Sequence, residues 1–319
     1  VNIRSLARFL LKPRRVLSAQ RREKMYTYKF DVEKVTKDCV AWIKRWFAEN
    51  GGERPAAIVG VSGGKDSAVV AALCAEALGK DNVIAVLMPN GEQKDIADSW
   101  KIIYHIGLKR IILSNISDTV NGLFANCGVV EDCVKYNLNQ RFWYPETASI
   151  AWNNQAAVNA PARIRMATLY AMAAQYGGRV ANTCNRSEDV CGYATLYGDS
   201  AGDFSPLSKL TVTEVIAIGE YLGLPQEITR KTPSDGLCGK SDEESLGMKY
   251  AELDEWLRES KRESTIGIKV WDMWMSRGRF KLSLINLPSF DPDLYDRIED
   301  VDYERNQPRG EVRLIKSMP

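Results

Sequence analysis

The chain has 319 residues, 45% hydrophobic and 26% charged, which suits a globular protein with a sizeable buried core. The net charge is +2, no apolar run reaches the length of a membrane span, and a single histidine argues against a poly-His metal site or a Ser-His-Asp triad. The charge is uneven. Residues 1–24 hold eight basic residues (Arg4, Arg8, Lys12, Arg14, Arg15, Arg21, Arg22, Lys24) against the one acid Glu23, leaving the rest of the chain at about −5. A mildly acidic body speaks against a broad nucleic-acid surface. Seven cysteines, an odd number without a CxxC pair, speak against a disulfide framework or zinc site and for a reducing cytoplasm.

The basic leader, residues 1–24, lacks the apolar region and cleavage site of a secretory signal. Met25 reads as the natural start, with a flexible basic arm as the alternative. Val32, Val35, Cys39, Val40, Ile43, Trp46 and Phe47 recur at helical spacing, and Asn50-Gly51-Gly52 closes that helix. Ala56–Ser62 is a continuous apolar run, as in a buried parallel strand. A helix over 67–78, a strand over 83–88, a helix over 95–105 and a strand over 110–116 follow. The pattern continues with a helix over 155–176, a strand over 179–183 and helices over 211–222 and 241–257. Strands alternating with helices predict an α/β fold with a mostly parallel sheet. Beyond Pro288 the chain is polar, and residues 288–319 read as a loosely attached tail to a catalytic domain spanning 25–287.

The chemistry concentrates in Gly60-Val61-Ser62-Gly63-Gly64-Lys65-Asp66-Ser67, directly after the first buried strand and at the start of a helix. The glycines let backbone amides approach an anion, and the helix start adds unpaired N–H groups and a positive dipole end. Ser62 and Ser67 add hydroxyls. The spacing is not that of a Walker A loop. Asp66 would repel a phosphate, but it becomes sensible as a ligand of a bridging Mg2+.

This SGGxDS string resembles the PP-loop of the N-type ATP pyrophosphatases, which cleave ATP between its α- and β-phosphates. Four further segments single out the NAD synthetases within that family. Leu87–Gln93 resembles their LPxGxQ segment, and Asn159–Met166 resembles their NxxARxRM helix. Thr183 to Glu188, continuing through Tyr197–Leu207, is similar to their T-x-x-x-x-E…YGDxxxDxxPL block. Lys231–Leu237 with Ser241-Asp242-Glu243 resembles their KxP[TS]xDL…[ST]DE segment. The matches run in order over roughly residues 30–257.

The resemblance implies a Rossmann-like parallel sheet of the adenine-nucleotide alpha-hydrolase type. It implies that Gly60, Val61, Ser62, Gly63, Gly64, Lys65, Asp66 and Ser67 hold the ATP phosphates, with Thr183 and Ser234 as further ATP contacts. It makes Asp66 and Glu188 ligands of Mg2+, and Arg163, Asp203 and Lys281 contacts to deamido-NAD. Asp66, Glu188 and Asp203 are the expected catalytic residues. Bland readings stand beside these: Arg163 and Arg165 as a solvated helix face, Glu188 as a helix-initiating acid, Asp199 and Asp203 as turn formers. The chain also departs from the family. Leu196, Val212 and Phe280 stand where many synthetases have Lys, Lys and His, with Lys209 and Arg279 as candidate replacements for the lost charge. His105, in an apolar helical segment, reads as packed or surface-exposed rather than catalytic.

The implied reaction is a ligation. The nicotinate carboxylate of deamido-NAD attacks the α-phosphorus of ATP, and ammonia then displaces AMP from the acyl-adenylate to give NAD. Asp203 or Asp199 would accept the proton that ammonia sheds. About 55 residues precede the loop, too few for the nitrilase-like domain of glutamine-dependent synthetases, so free or partner-supplied ammonia is the expected donor. The expected partners are ATP, deamido-NAD, ammonia and a second copy of the chain in a homodimer, with no nucleic acid and no membrane. Two rivals differ in class: another PP-loop enzyme such as a GMP-synthetase-like amidating enzyme, and a non-catalytic ATP-binding protein on the same fold.

Overall fold

The computed structural model describes residues 26–93, 95–129, 148–231, 242–259, 265–285 and 287–297. It opens with a short strand, β1 (Tyr26–Tyr28), and a helix, α1 (Val32–Asn50), capped where the Asp31 side chain accepts from the Lys34 amide. β2 (Ala57–Gly60), α2 (Lys65–Leu78), β3 (Val83–Leu87), α3 (Ile96–Ile106) and β4 (Arg110–Leu113) alternate as the hydrophobic pattern predicts. Next come α4 (Ser117–Asn126), β5 (Gly128–Val129), β6 (Ala148–Ser149), α5 (Asn154–Tyr176), β7 (Arg179–Val180) and α6 (Arg186–Cys191). The chain continues through α7 (Val212–Tyr221), α8 (Gln226–Thr229), α9 (Asp242–Leu246), α10 (Tyr250–Glu259) and α11 (Thr265–Met273). A π-helical turn (Trp274–Gly278), α12 (Arg279–Ser283) and β8 (Tyr295–Arg297) complete the described residues.

The central sheet has the order β4-β3-β2-β7, with every pairing parallel. The strand order reverses between β2 and β7, and in open α/β sheets ligands gather at the carboxyl ends of the strands beside such a point. Both faces are covered, which explains the unbroken apolar runs of β2 and β3. On one face lie α1, α2 and α7, with Phe204 fully buried against Trp46 (centroids 4.8 Å apart) and Phe47 (5.1 Å). On the other, Met166, Leu169 and Ala173 of α5 pack on Ile58, Ile84, Val86 and Val180. A third cluster, around Val190, Leu253 and Trp274, joins the C-terminal helices to α6 and α7.

Three expectations are corrected. The single helix predicted over 241–257 is α9 and α10, separated where Gly247 takes φ +68° and donates its amide to the Glu243 carbonyl at 2.8 Å. A left-handed glycine ends a helix in this way because it lacks a Cβ. The predicted loose tail is, over 288–297, part of the body. Phe290 and Leu294 are buried in the first core cluster, Ser205 bridges Ser289, and β8 pairs antiparallel with β1. The strand predicted over 179–183 pairs regularly only at 179–180, continued by one bridge from Ala181 to Phe204. His105 is on the surface.

The anchoring begins at β1, so removing residues 1–24 spares every contact described above. The expected result is a melting temperature within a few degrees of full length and unchanged turnover, measured by calorimetry and a steady-state assay. A large fall in either would assign the leader a packing or binding role.

Candidate functional site

The loop between β2 and α2 is held open by its own serines. The Ser67 hydroxyl donates to the Gly64 carbonyl (3.0 Å), receives the Ser62 amide (3.2 Å) and lies 3.2 Å from the Ser62 hydroxyl. Gly63 adopts φ +90°, which a side chain would resist, and a Cβ there would also stand 3.3 Å from the Ser99 amide of α3. Val61 is buried and ties the loop base to β3 through the Val86 carbonyl (3.0 Å). Gly64 is the N-cap of α2, and the first helical bond runs from the Ala68 amide to the Gly64 carbonyl. The amides of Lys65, Asp66 and Ser67 therefore have no partner within the helix and carry its positive end, which suits an anion.

Lys65 departs from the expected phosphate role. Its side chain is 4% exposed, its ammonium meets Asp66 at 2.8 Å, and it lies over the Tyr250 ring. Burial works against its charge, but Asp66, Glu188 and Asp242 outweigh burial and raise its pKa. The lysine is an internal countercharge.

Glu188 arrives from the other side of the switch point. After β7 the chain turns through Thr183, which is half-buried, into α6, whose start is a reciprocal capping box. The Asn185 side chain accepts from the Glu188 amide (3.1 Å), and the Glu188 carboxylate accepts from the Asn185 amide (3.2 Å). Asn185 also donates its side-chain amide to Asp66 at 3.1 Å. Asn185, fully buried and absent from the sequence-predicted site, is thus the joint between the two carboxylates. Its signal was its place three residues before Glu188, the spacing of a capping box. Burial, then the neighbouring charge of Asp66, pushes the Glu188 carboxyl well above its usual range, with Lys65 opposing. Glu188 does initiate a helix, and it also brings an under-compensated carboxylate to Asp66.

That pairing tests the fit of a divalent cation. Among the described residues no group of three or more His, Cys, Asp or Glu side chains is placed to hold a metal ion by itself. Two carboxylates beside a loop of unpaired amides match the way Mg2+ is commonly held, with substrate phosphates and water completing its shell. A cation there would relieve the repulsion that raises Glu188.

The remaining predicted residues divide. Arg163 is exposed on α5, with its Nε donating to the Leu196 carbonyl (3.2 Å) on the loop that follows α6. Lys281 donates to the carbonyls of Gly192 (2.6 Å) and Ala194, so its ammonium holds that same loop rather than standing open to a ligand. Burial lowers its pKa, which suits a lysine turned inward. Asp203 is not brought to Asp66 and Glu188. Its carboxylate accepts from the Val180 amide (2.7 Å), level with Ile58 rather than with the loop. It lines a separate open cleft of about 470 Å³ with Trp46, Glu49, Asn50, Gly52 and Arg179. A proton-accepting role beside Asp66 and Glu188 does not fit that position. Ser234 lies outside the described residues.

Of the substitutions at family positions Val212 has a local reason, and nothing in the structure explains the side chains of Leu196 and Phe280. Val212 is 3% exposed and packs in the third core cluster, where a lysine would be costly to bury. The Leu196 carbonyl takes the Arg163 bond, and Phe280 is largely exposed. Asp98, which sequence alone places away from the motif blocks, is close to them. Lys231 bridges Asp95 (3.0 Å) and Asp98 (2.8 Å), and the Asp98 Cβ stands against Gly63.

Comparison with known proteins agrees with this geometry. Residues 35–273 match the family model described as NAD synthase. The NH3-dependent NAD+ synthetase of Pyrococcus furiosus is 35% identical over 230 residues, covering 72% of this chain and 79% of that protein. The NH3-dependent NAD+ synthetase of Methanocaldococcus jannaschii is 40% identical over 204 residues, covering 63% of this chain and 71% of that protein. Among solved structures, NMN synthetase from Francisella tularensis superposes with a TM-score of 0.66 at 29% identity, covering 82% of this chain and all of that one. The matched segment contains the sheet, the β2–α2 loop, Asn185 and Glu188, and on that ground the chain belongs to the NAD synthase family.

Proposed function

We propose that this protein is an ammonia-dependent NAD synthetase that adenylates the nicotinate carboxylate of deamido-NAD with ATP and then amidates it. The observation that carries the reading is the meeting of Asp66 and Glu188, through Asn185, at a loop of unpaired amides beside the switch point. Relatives named as NH3-dependent NAD+ synthetases support the reaction and the nitrogen donor.

The chain's own groups account for much of the chemistry. The amides of Lys65, Asp66 and Ser67, with the Ser62 and Ser67 hydroxyls, bind the triphosphate. Thr183 and Ser234 are assigned further ATP contacts. Asp66 and Glu188 are the residues that would hold Mg2+, which would supply positive charge to offset the negative charge of the departing pyrophosphate. Arg163, steered by its bond to Leu196, offers its remaining N–H groups to the acid dinucleotide. Asp203 and its cleft, with Trp46 beside it, suit a more distant part of that substrate. A carboxylate oxygen attacks the α-phosphorus and pyrophosphate leaves. Ammonia attacks the acyl carbon, AMP departs with that oxygen, and the surplus proton passes to solvent. Orientation of two bound nucleotides carries much of the rate. The free cysteines among the described residues suit a cytoplasmic enzyme, and exposed Trp152, Tyr170 and Tyr176 suit a homodimer built on the α5 face.

A second reading is favoured by one observation, the similarity to an NMN synthetase together with the loss of the family lysine at Leu196. In that reading the acid substrate is the mononucleotide. Purified protein with ATP, Mg2+ and ammonium, offered deamido-NAD and nicotinate mononucleotide in parallel, separates the two. The expected result is preferential amidation of deamido-NAD with AMP and pyrophosphate as co-products, and poor use of glutamine in place of ammonium. Preference for the mononucleotide would move the assignment, and ADP with phosphate would remove it.

A further inference from the structure

Helix α5 carries a second arginine, Arg165, that the reading above leaves without a role. α5 leads directly into β7, so its N-terminal end points toward the carboxyl ends of the strands. Leu169 fixes the height, since its Cδ1 lies 3.4 Å from where a Cβ on Gly60, the last residue of β2, would stand. Arg165 is one turn nearer the helix start, about 6 Å farther along the axis, which brings it to the level of the β2–α2 loop. Its Nε donates at 3.0 Å to the carbonyl of Met88, the residue after β3, and the Met88 methyl itself packs at Gly60. This bond orients the guanidinium. Among the described residues Arg165 makes no other hydrogen bond or ion pair, so the two terminal nitrogens remain unspent. The side chain is only half-buried, which leaves them within reach of a ligand.

The lysines assigned to the site are engaged, and Arg163 is already given to the acid dinucleotide. Lys65 is turned inward on Asp66, Lys231 bridges Asp95 and Asp98, and Lys281 holds the Gly192 and Ala194 carbonyls. The loop therefore offers amides and hydroxyls to a triphosphate but no free ammonium. A partly desolvated guanidinium with an open fork costs free energy until it meets an anion, and its geometry matches two phosphate oxygens. Burial lowers the pKa of Arg165 and Asp199 opposes that, as for a cation set partly out of water.

We propose that Arg165 is the polyphosphate cation of this enzyme, binding ATP phosphate oxygens through its terminal nitrogens while Met88 holds its Nε. The inference rests on the reading that the loop takes ATP. The test is calorimetric titration of wild type, Arg165→Met and Arg165→Lys with ATP and Mg2+, and separately with deamido-NAD, alongside melting curves. Arg165→Met should weaken ATP about tenfold or more and leave deamido-NAD unchanged. Arg165→Lys, which keeps the charge but loses the fork, should fall between, with an unaltered melting temperature. ATP affinity within about twofold of wild type in both variants would overturn the proposal. So would a loss confined to deamido-NAD, which would give the fork to the acid substrate's oxyanions. If Arg165→Met fails to fold, the Lys variant decides by the same criteria. Absence of ATP binding in wild type would instead remove the functional reading itself.

Discussion

Glu188→Gln should abolish most adenylation while the protein stays folded. Glutamine keeps the oxygen that accepts from the Asn185 amide, so the start of α6 survives. It removes a charge that burial and Asp66 make costly, so the melting temperature should hold or rise. What disappears is one of the two hard ligands proposed for the cation. Losing it should cost several kcal/mol of transition-state stabilisation, roughly a hundredfold or more in rate. Asp66→Asn should show the same loss of rate but a lower melting temperature, because it takes from the buried Lys65 ammonium its hydrogen-bonded counterion. Raised Mg2+ should partly restore each variant. The first step is isolated by measuring pyrophosphate release from ATP and deamido-NAD without ammonia. Near-normal bursts in both variants would reduce Glu188 to a helix-start acid and Asp66 to a partner of Lys65.

The largest effect on stability is expected at Glu214. This residue is 2% exposed and faces Arg258, itself 7% exposed. One carboxylate oxygen accepts from the Tyr28 hydroxyl (2.8 Å) and Arg258 Nε (2.7 Å). The other accepts from an Arg258 terminal nitrogen (2.6 Å) and from the Thr211 amide (2.8 Å), which closes the capping box of α7. One side chain thus ties the N-terminal strand, α7 and α10 together. Glu214→Ala strands a buried guanidinium and an uncapped helix at once, and breaking such a pair costs about 3–5 kcal/mol. That is a large share of a typical domain's stability. Urea unfolding of Glu214→Ala should show a loss of this order, with the remaining activity at low temperature little changed. A loss below about 1 kcal/mol would mean that Arg258 finds another partner or reaches water.

Much of the fold was legible because the sheet is buried on both faces. Ala56–Ser62 and Val83–Met88 announce themselves as strands through unbroken apolar runs, and α1 and α3 through helical spacing. The loop stood out because glycines and hydroxyls after a buried strand suit an anion, and Glu188 stood out through the resemblance of its block to that of the NAD synthetases. Three things were not. α6 is six residues long and is defined by a capping box rather than by periodicity. The packing of residues 288–297 rests on Phe290 and Leu294, two apolar side chains in a polar stretch, and on backbone pairing with β1. The inward turn of Lys65 and the steering of Arg163 and Arg165 by the Leu196 and Met88 carbonyls depend on contacts between segments far apart in sequence. A motif states which residue type is present, and these contacts decide where it points.

In the proposed reaction the nicotinate carboxylate attacks the α-phosphorus of ATP. Its most direct test is to incubate the enzyme with ATP, Mg2+, ammonium and deamido-NAD labelled with 18O in the carboxylate, and to analyse the products by mass spectrometry. One 18O atom is expected in AMP and none in pyrophosphate, because the oxygen that attacks phosphorus leaves with AMP when ammonia takes the acyl carbon. Label in inorganic phosphate, or unlabelled AMP alongside amidated product, would contradict it.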